Sequence, residues 1–257
     1  MQLKNVIDTP CGLRFMLDRL DLQSGFARRW LLDMSMMTSD DDIEASYDVV
    51  RRFIDFVKGI DRTHLTTLLF RLQGVKDIRT TIKNLRQVST LDDIELFEVK
   101  HLSILASEVT AFLVEHGMAD VVHIPALDEV VSILDPDGLK IASFYIYDSY
   151  CAELQQLRKQ MRQQPERQED LLVEAAEIEE TVRRDLTRKL HSHVDDIENA
   201  LVALATIDIN LARARQVVEE GLCIPTISTD ETNRYTAMFH PQVKDALSRR
   251  GKEFQPV

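Results

Sequence analysis

Glycine and proline are scarce in this 257-residue chain, at 8 and 7 residues. That scarcity excludes collagen-like, low-complexity and turn-rich all-β organisations and favours long helices. The glycines stand at 12, 25, 59, 74, 117, 138, 221 and 251, and none opens a Gly-x-x-x-x-Gly-Lys-Ser/Thr loop; Gly251-Lys252 is followed by Glu253. Without backbone amides to cradle phosphates and a hydroxyl for magnesium, these residues have no known route to ATP hydrolysis, and the chain reads as a non-enzyme. Cys11, Cys151 and Cys223 are odd in number and far apart, which leaves reduced structural thiols as the expectation. No apolar run nears the roughly 20 residues of a membrane span, and no basic-then-apolar leader is present, so a cytoplasmic protein without a membrane partner is expected. Basic residues are outnumbered 31 to 43, for a net charge of −12. Phosphate binding draws on clustered Lys and Arg, so the charge argues against a freestanding nucleic-acid binder.

Catalytic patterns are equally sparse. No Ser/His/Asp or Cys/His arrangement stands out, and no carboxylate pair is set apart by spacing, so the expected catalytic and metal sites are none. His191 and His193 are two apart, which on a helix directs them away from each other; they read as solvated. The seven acidic residues between Glu166 and Glu180 read as a solvated helix face, with compensating Arg183, Arg184, Arg188 and Lys189 downstream.

What the chain does contain is apolar patterning. Apolar residues make up 44% and charged residues 29%, the mix of amphipathic helices around a sizeable core. Two short helices are expected over 13–32, broken at Ser24-Gly25. Ser39 and Asp42 form a capping-box-like start to a helix whose inner face is Ile43, Tyr47, Val50, Ile54 and Val57, ending at Gly59. A helix over 75–88 carries Val75, Ile78, Ile82 and Leu85. Ser89 and Asp92 start another, with Ile94, Phe97, Leu102, Leu105, Val109, Phe112 and Leu113 inward and Gly117 beyond its end. A short helix near 127–134 leads into Asp135-Pro136-Asp137-Gly138, a tight turn by its own chemistry. A β-prone run over 141–147 follows, then Asp148 or Ser149 as cap of a helix from Tyr150 to about Gln163.

From Glu166 to Glu220 there is neither Gly nor Pro, and Ile178 through Leu211 keep one apolar stripe at a mean spacing of 3.67 residues. That period describes a nearly straight helix, on the order of 80 Å long if unbroken at about 1.5 Å per residue. Its antiparallel partner is the helix over 150–163, with the turn near 163–168 set by Pro165. After Gly221 the chain becomes β-prone at Ile224–Ile227 and Tyr235–Phe239. The fold class is therefore all-α: a helical core over 1–149, a projecting arm over 150–220, and a connector over 221–257, with a few short β-strands near 141–147 and 224–240.

The order turn, β-prone run, capped helix between Leu134 and Arg158 resembles the base of the lever arm in the MutS family of DNA mismatch-repair ATPases, in branches without the mismatch-reading domain. Gly74–Ile78, Leu91–His101 and Leu204–Arg215 look like core and lever positions of that family. His240-Pro241 and Phe254-Gln255-Pro256-Val257 resemble the approach to its ATPase domain. The resemblance covers most of residues 9–257. It implies a core and lever region that passes ATP-driven conformational change to DNA engagement, with an ATPase domain beyond Val257 as principal partner. No cofactor is expected here; ATP and magnesium belong to the full-length protein, as does DNA binding, and a homodimer is a further expected partner arrangement. Phe254 resembles the aromatic that stacks on adenine in these ATPases; packing in a hydrophobic seam is the competing reading. The short connection at 163–168 leaves no room for the family's DNA-touching clamp, and no Phe-x-Glu occurs, so the mismatch wedge is missing. The alternative function is a freestanding acidic coiled-coil adaptor that dimerises through the 178–211 stripe.

Overall fold

A computed structural model describes residues 1–141, 143–228 and 232–256. Parts of the 141–147 and 224–240 runs, and Val257 of the terminal motif, lie outside the described residues. Among those described there are eleven α-helices: α1 Leu13–Asp18, α2 Gly25–Asp33, α3 Asp40–Gly59, α4 Arg62–Gln73, α5 Arg79–Arg86, α6 Asp93–Glu115, α7 Asp128–Leu134, α8 Ala152–Gln163, α9 Gln168–His191, α10 Val194–Glu220 and α11 Pro241–Ser248. The all-α class holds.

The expected short strands are not formed among the described residues, where the one β-type pairing is an isolated antiparallel bridge between Gln2 and Ser35. Burial alternates only over Phe144–Ile146: Phe144 and Ile146 are buried and Tyr145 is 47% exposed, but Tyr147 is buried beside Ile146. No second strand lies alongside to complete a ladder, so the segment docks by its side chains and its backbone stays irregular.

The chain divides into two compact units, Met1–Leu69 with Thr206–Val257, and Phe70–Ala205. The division falls inside α4 and α10.

In the first unit, Ser24 caps α2 by accepting from the Ala27 amide at 3.0 Å, and Ser39 caps α3 by accepting from Asp42. Phe26, Ala27, Phe53, Ile207 and Leu211 are buried in it to within 1% of full enclosure. Arg19 pairs with Glu220 at 2.8 Å and Arg215 with Asp21 at 2.7 Å.

In the second unit, α6 begins with a complete capping box: the Asp92 carboxylate accepts from the Glu95 amide at 2.8 Å, and the Glu95 carboxylate accepts from the Asp92 amide at 3.1 Å. Ser89 has no part in it. Asp92→Ala removes both the acceptor and the reciprocal geometry, and a loss of about 1 kcal/mol in urea-unfolding free energy is expected. The inner face of α6 is phased differently from the expected stripe. Leu96, Val99 and Lys100 point inward, Phe97 is half-buried, and Ile94 is 70% exposed. Ile94 sits in the first turn, where nothing yet covers it, and Phe97 instead stacks on His101 with Lys76 over its ring.

Helices α8 and α9 pack against each other across the 3-10 turn Pro165–Arg167, burying Leu154 and Leu157 from one and Leu171 and Ala175 from the other. Neither Asp148 nor Ser149 caps α8, whose N-cap is Cys151 without a side-chain bond. Asp148 accepts from Arg158 instead, and Ser149 donates to Asp137 at 3.1 Å.

The long Gly/Pro-free segment is two helices rather than one, interrupted at Ser192 and His193. The Ser192 hydroxyl donates to the Lys189 carbonyl at 2.8 Å, and α10 restarts with Asp195 and Asp196 in its first turn. A serine that satisfies a terminal carbonyl and acids that favour a new N-terminus permit a break without Gly or Pro. The apolar stripe carries on across the break: Leu190, Val194, Ile197, Leu201, Leu204 and Ile207 are all buried.

Candidate functional site

Phe254, the one side chain assigned a cofactor contact from sequence, lies half-buried in a cavity of about 550 Å³ with Phe15, Met16, Met238, Phe239 and His240. All of it belongs to the first unit. The sequence places α11 there by a clear local logic. The His240 imidazole Nδ1 accepts from the Val243 amide as N-cap at 3.4 Å, Pro241 supplies the first helical φ, and Gly251 at φ +67 closes the far end. The Lys252 amide returns to the Leu247 carbonyl at 3.0 Å. Gly12, at φ +81, brings the start of α1 against the same histidine, whose Cε1 lies 3.4 Å from where a Cβ would stand.

The structure thus brings Phe254 and His240-Pro241, read as separate motifs, to one apolar cavity. On α11 beside it, Lys244 Nζ lies 4.2 Å from the centroid of the Phe239 ring, which lines the cavity, and Asp245 holds Arg249 at 2.8 Å. Chemically the cavity offers aromatic faces without a phosphate cradle.

The second constellation was not legible as a site. Lys100, on α6, and Asp135, after α7, form an ion pair at 3.1 Å with each side chain 1% exposed. The same ammonium donates to the Tyr147 hydroxyl at 2.9 Å, and the other Asp135 oxygen accepts from the Lys140 amide at 2.8 Å. Burial alone would raise the pKa of Asp135, but the Lys140 amide and the Lys100 ammonium outweigh it and hold the carboxyl below its ordinary range. Tyr150 beside them donates to the Ile133 carbonyl at 2.9 Å, and burial, reinforced by the Tyr147, Asp135 and Asp137 charges, pushes its hydroxyl well above the usual phenol value. A closed cluster of this kind fastens the Asp-Pro-Asp-Gly turn and the Phe144–Tyr147 segment onto α6. It gives no solute access, so its chemistry is structural.

The two histidines expected in solvent are half-buried. His191 Nδ1 lies 3.0 Å from the Leu85 carbonyl, and His193 lies 3.6 Å from Glu129. In the acidic run, Glu179 sits between Arg158 and Arg183, at 2.8 and 3.6 Å. Among the described residues no group of three or more His, Cys, Asp or Glu side chains is placed to hold a metal ion, and no helix is long and apolar enough to cross a membrane.

No protein-family model matches the chain. Over 68 residues it is 38% identical to the DNA mismatch repair protein MutS of Bartonella quintana (strain Toulouse). The matched stretch is 26% of this chain and 8% of that relative, so the similarity spans a small part of the curated protein's length.

Proposed function

We propose that this chain is the core and lever region of a MutS-like DNA mismatch-repair protein. In that reading it performs no chemistry itself and couples ATP-driven conformational change in an ATPase domain to DNA engagement by the whole protein. The observation that carries the reading is the 38% identity to MutS over 68 residues. The paired helices α8 and α9, rooted through Asp135 and Lys100, suit a part that transmits rotation, because packed elements switch between discrete arrangements and do not bend continuously. ATP and magnesium would act in the ATPase domain. Phe254 would meet adenine only with that domain in place, at the rim of the cavity it shares with His240. A cytoplasmic location follows from the same reading.

The adaptor alternative needs the 178–211 stripe as a dimer seam. From Leu186 to Leu211 that stripe is already buried within the chain, which favours the lever reading.

The charge gives a direct test. With a net charge of −12, the chain alone is expected to retain no duplex DNA in filter binding at physiological salt, because affinity for phosphates scales with the cations that replace counterions. Micromolar or tighter retention would place the DNA contact in this region and refute the division of labour proposed.

A further inference from the structure

Helix α3, the N-terminal segment and the last turns of α10 enclose a cavity of about 560 Å³, all within the first unit. Its wall is apolar, built chiefly by Leu31, Met34, Ile43, Tyr47, Val50 and Val217. One charged side chain lines it, Arg213. The neighbouring arginines of this unit are matched: Arg215 holds Asp21 and Arg19 holds Glu220. Arg213 has no hydrogen bond or ion pair among the described residues, and burial lowers its pKa from the ordinary guanidinium value. Both glutamine side chains of the lining are already used. Gln216 donates to the Met16 carbonyl and Gln2 to the Asp33 carbonyl.

The guanidinium is half-buried, its nitrogens open to solvent and without an anion among the described residues. Here it faces an apolar chamber of the size that small-molecule sites occupy, where a few polar groups orient an otherwise greasy ligand. We propose that this cavity binds a small amphiphilic carboxylate, its apolar body against Ile43, Val50 and the methionines and its carboxylate on the Arg213 fork. The planar guanidinium matches a carboxylate through two parallel hydrogen bonds. Met34, joined by Met36 and Met37 at the rim, lets the wall adapt to ligand shape. This site is independent of the mismatch-repair reading and stands or falls without it.

Two cysteines provide an internal comparison. Cys223 lines this cavity and Cys11 lines the separate one that holds Phe254; both thiols are free and exposed. Alkylation by iodoacetamide, followed peptide by peptide in a mass spectrometer, reads occupancy of each. Decanoate below its micelle concentration is expected to slow Cys223 and leave Cys11 unchanged. Decanol, equal in length but uncharged, is expected to bind about tenfold more weakly, the worth of a hydrogen bond to a charged group. Arg213→Gln should bring decanoate down to the level of decanol, and Arg213→Lys should keep part of the preference. No slowing at Cys223, equal slowing of both cysteines, or equal potency of decanoate and decanol on the unaltered chain would overturn the proposal. So would protection of Cys223 that rises with protein concentration alone, which would assign the cavity to a second copy. Should the glutamine variant not fold, the comparison of decanoate with decanol on the unaltered chain decides by itself.

Discussion

Lys100→Ala is expected to lower the unfolding free energy by about 3–5 kcal/mol, the largest single-site effect in the molecule. The substitution leaves Asp135 with only the Lys140 and Leu139 amides as partners in a place where its side chain is 1% exposed. It also strips the Tyr147 hydroxyl, inside the same cluster, of the donor at 2.9 Å. Removing both charges tells the pair's own worth apart from the cost of orphaning one member. Lys100→Met with Asp135→Leu should recover much of the loss, since a well-packed apolar pair often matches a buried ion pair. The pH dependence has a definite sign. Because the folded state holds the Asp135 carboxyl below its ordinary range, its contribution is fully present above the unfolded value of about 3.9 and is lost as pH falls below it. Urea midpoints of the wild type should therefore drop on acidification by more than those of the double variant.

Asp208→Ala is expected to cost about 2–4 kcal/mol, with a pH signature of opposite sign. Asp208 lies in α10, 1% exposed, and accepts from the Gln23 amide at 3.0 Å, the Ser24 amide at 2.8 Å and the Ser24 hydroxyl at 3.0 Å. That hydroxyl in turn caps α2 through the Ala27 amide. Truncation orphans two amides and loosens the cap, so hydrogen exchange at Gln23, Ser24 and Ala27 should accelerate together. Burial raises the Asp208 pKa, with the Gln23 and Ser24 bonds opposing it and Asp21 adding to it. The folded state thus takes up a proton at higher pH than the unfolded chain does. In the window between the unfolded value of about 3.9 and the raised folded value, lowering the pH strengthens folding at this group. Asp208→Asn should remove that dependence while losing less stability than alanine, since the amide oxygen still accepts.

How much of this was readable from the residues depends on the range of the physics involved. The Ser39 cap and the Asp-Pro-Asp-Gly turn are local, and their residue types alone locate them; the start of α6 is legible at Asp92, but with Ser89 as its partner where the structure has Glu95. The α8–α9 turn at Pro165 is local for the same reason. Strands are not local: Phe144–Tyr147 has the β-prone residue types of a strand, yet pairing requires a neighbour that no short window reveals. Helix α4 was missed because its face is uneven, with Phe70 72% exposed and Thr66 and Thr67 bonding back to Arg62 and Thr63. The buried charges are hidden for a different reason. Nothing in the residue type of Lys100 or Asp208 marks it as buried, since most charges lie at the surface. Both nonetheless sit inside apolar stripes, Lys100 at four-residue spacing from Leu96 and Asp208 between Ile207 and Ile209. A charge embedded in an inward-facing stripe is the signal that would have found them, and its partner, tens of residues away, is what sequence does not supply. Arg213 follows the same pattern among Leu211, Ala212 and Ala214.

The central claim, that this region moves with a motor and is not one, is met most directly by ATP turnover measured side by side on the 257-residue chain and on the polypeptide translated through its downstream coding sequence. The chain alone should show no turnover above buffer, and the longer polypeptide should hydrolyse ATP at a rate that Lys100→Ala alters without touching the nucleotide. Saturable hydrolysis by the 257-residue chain itself, or a downstream sequence without a phosphate-binding loop, would contradict it.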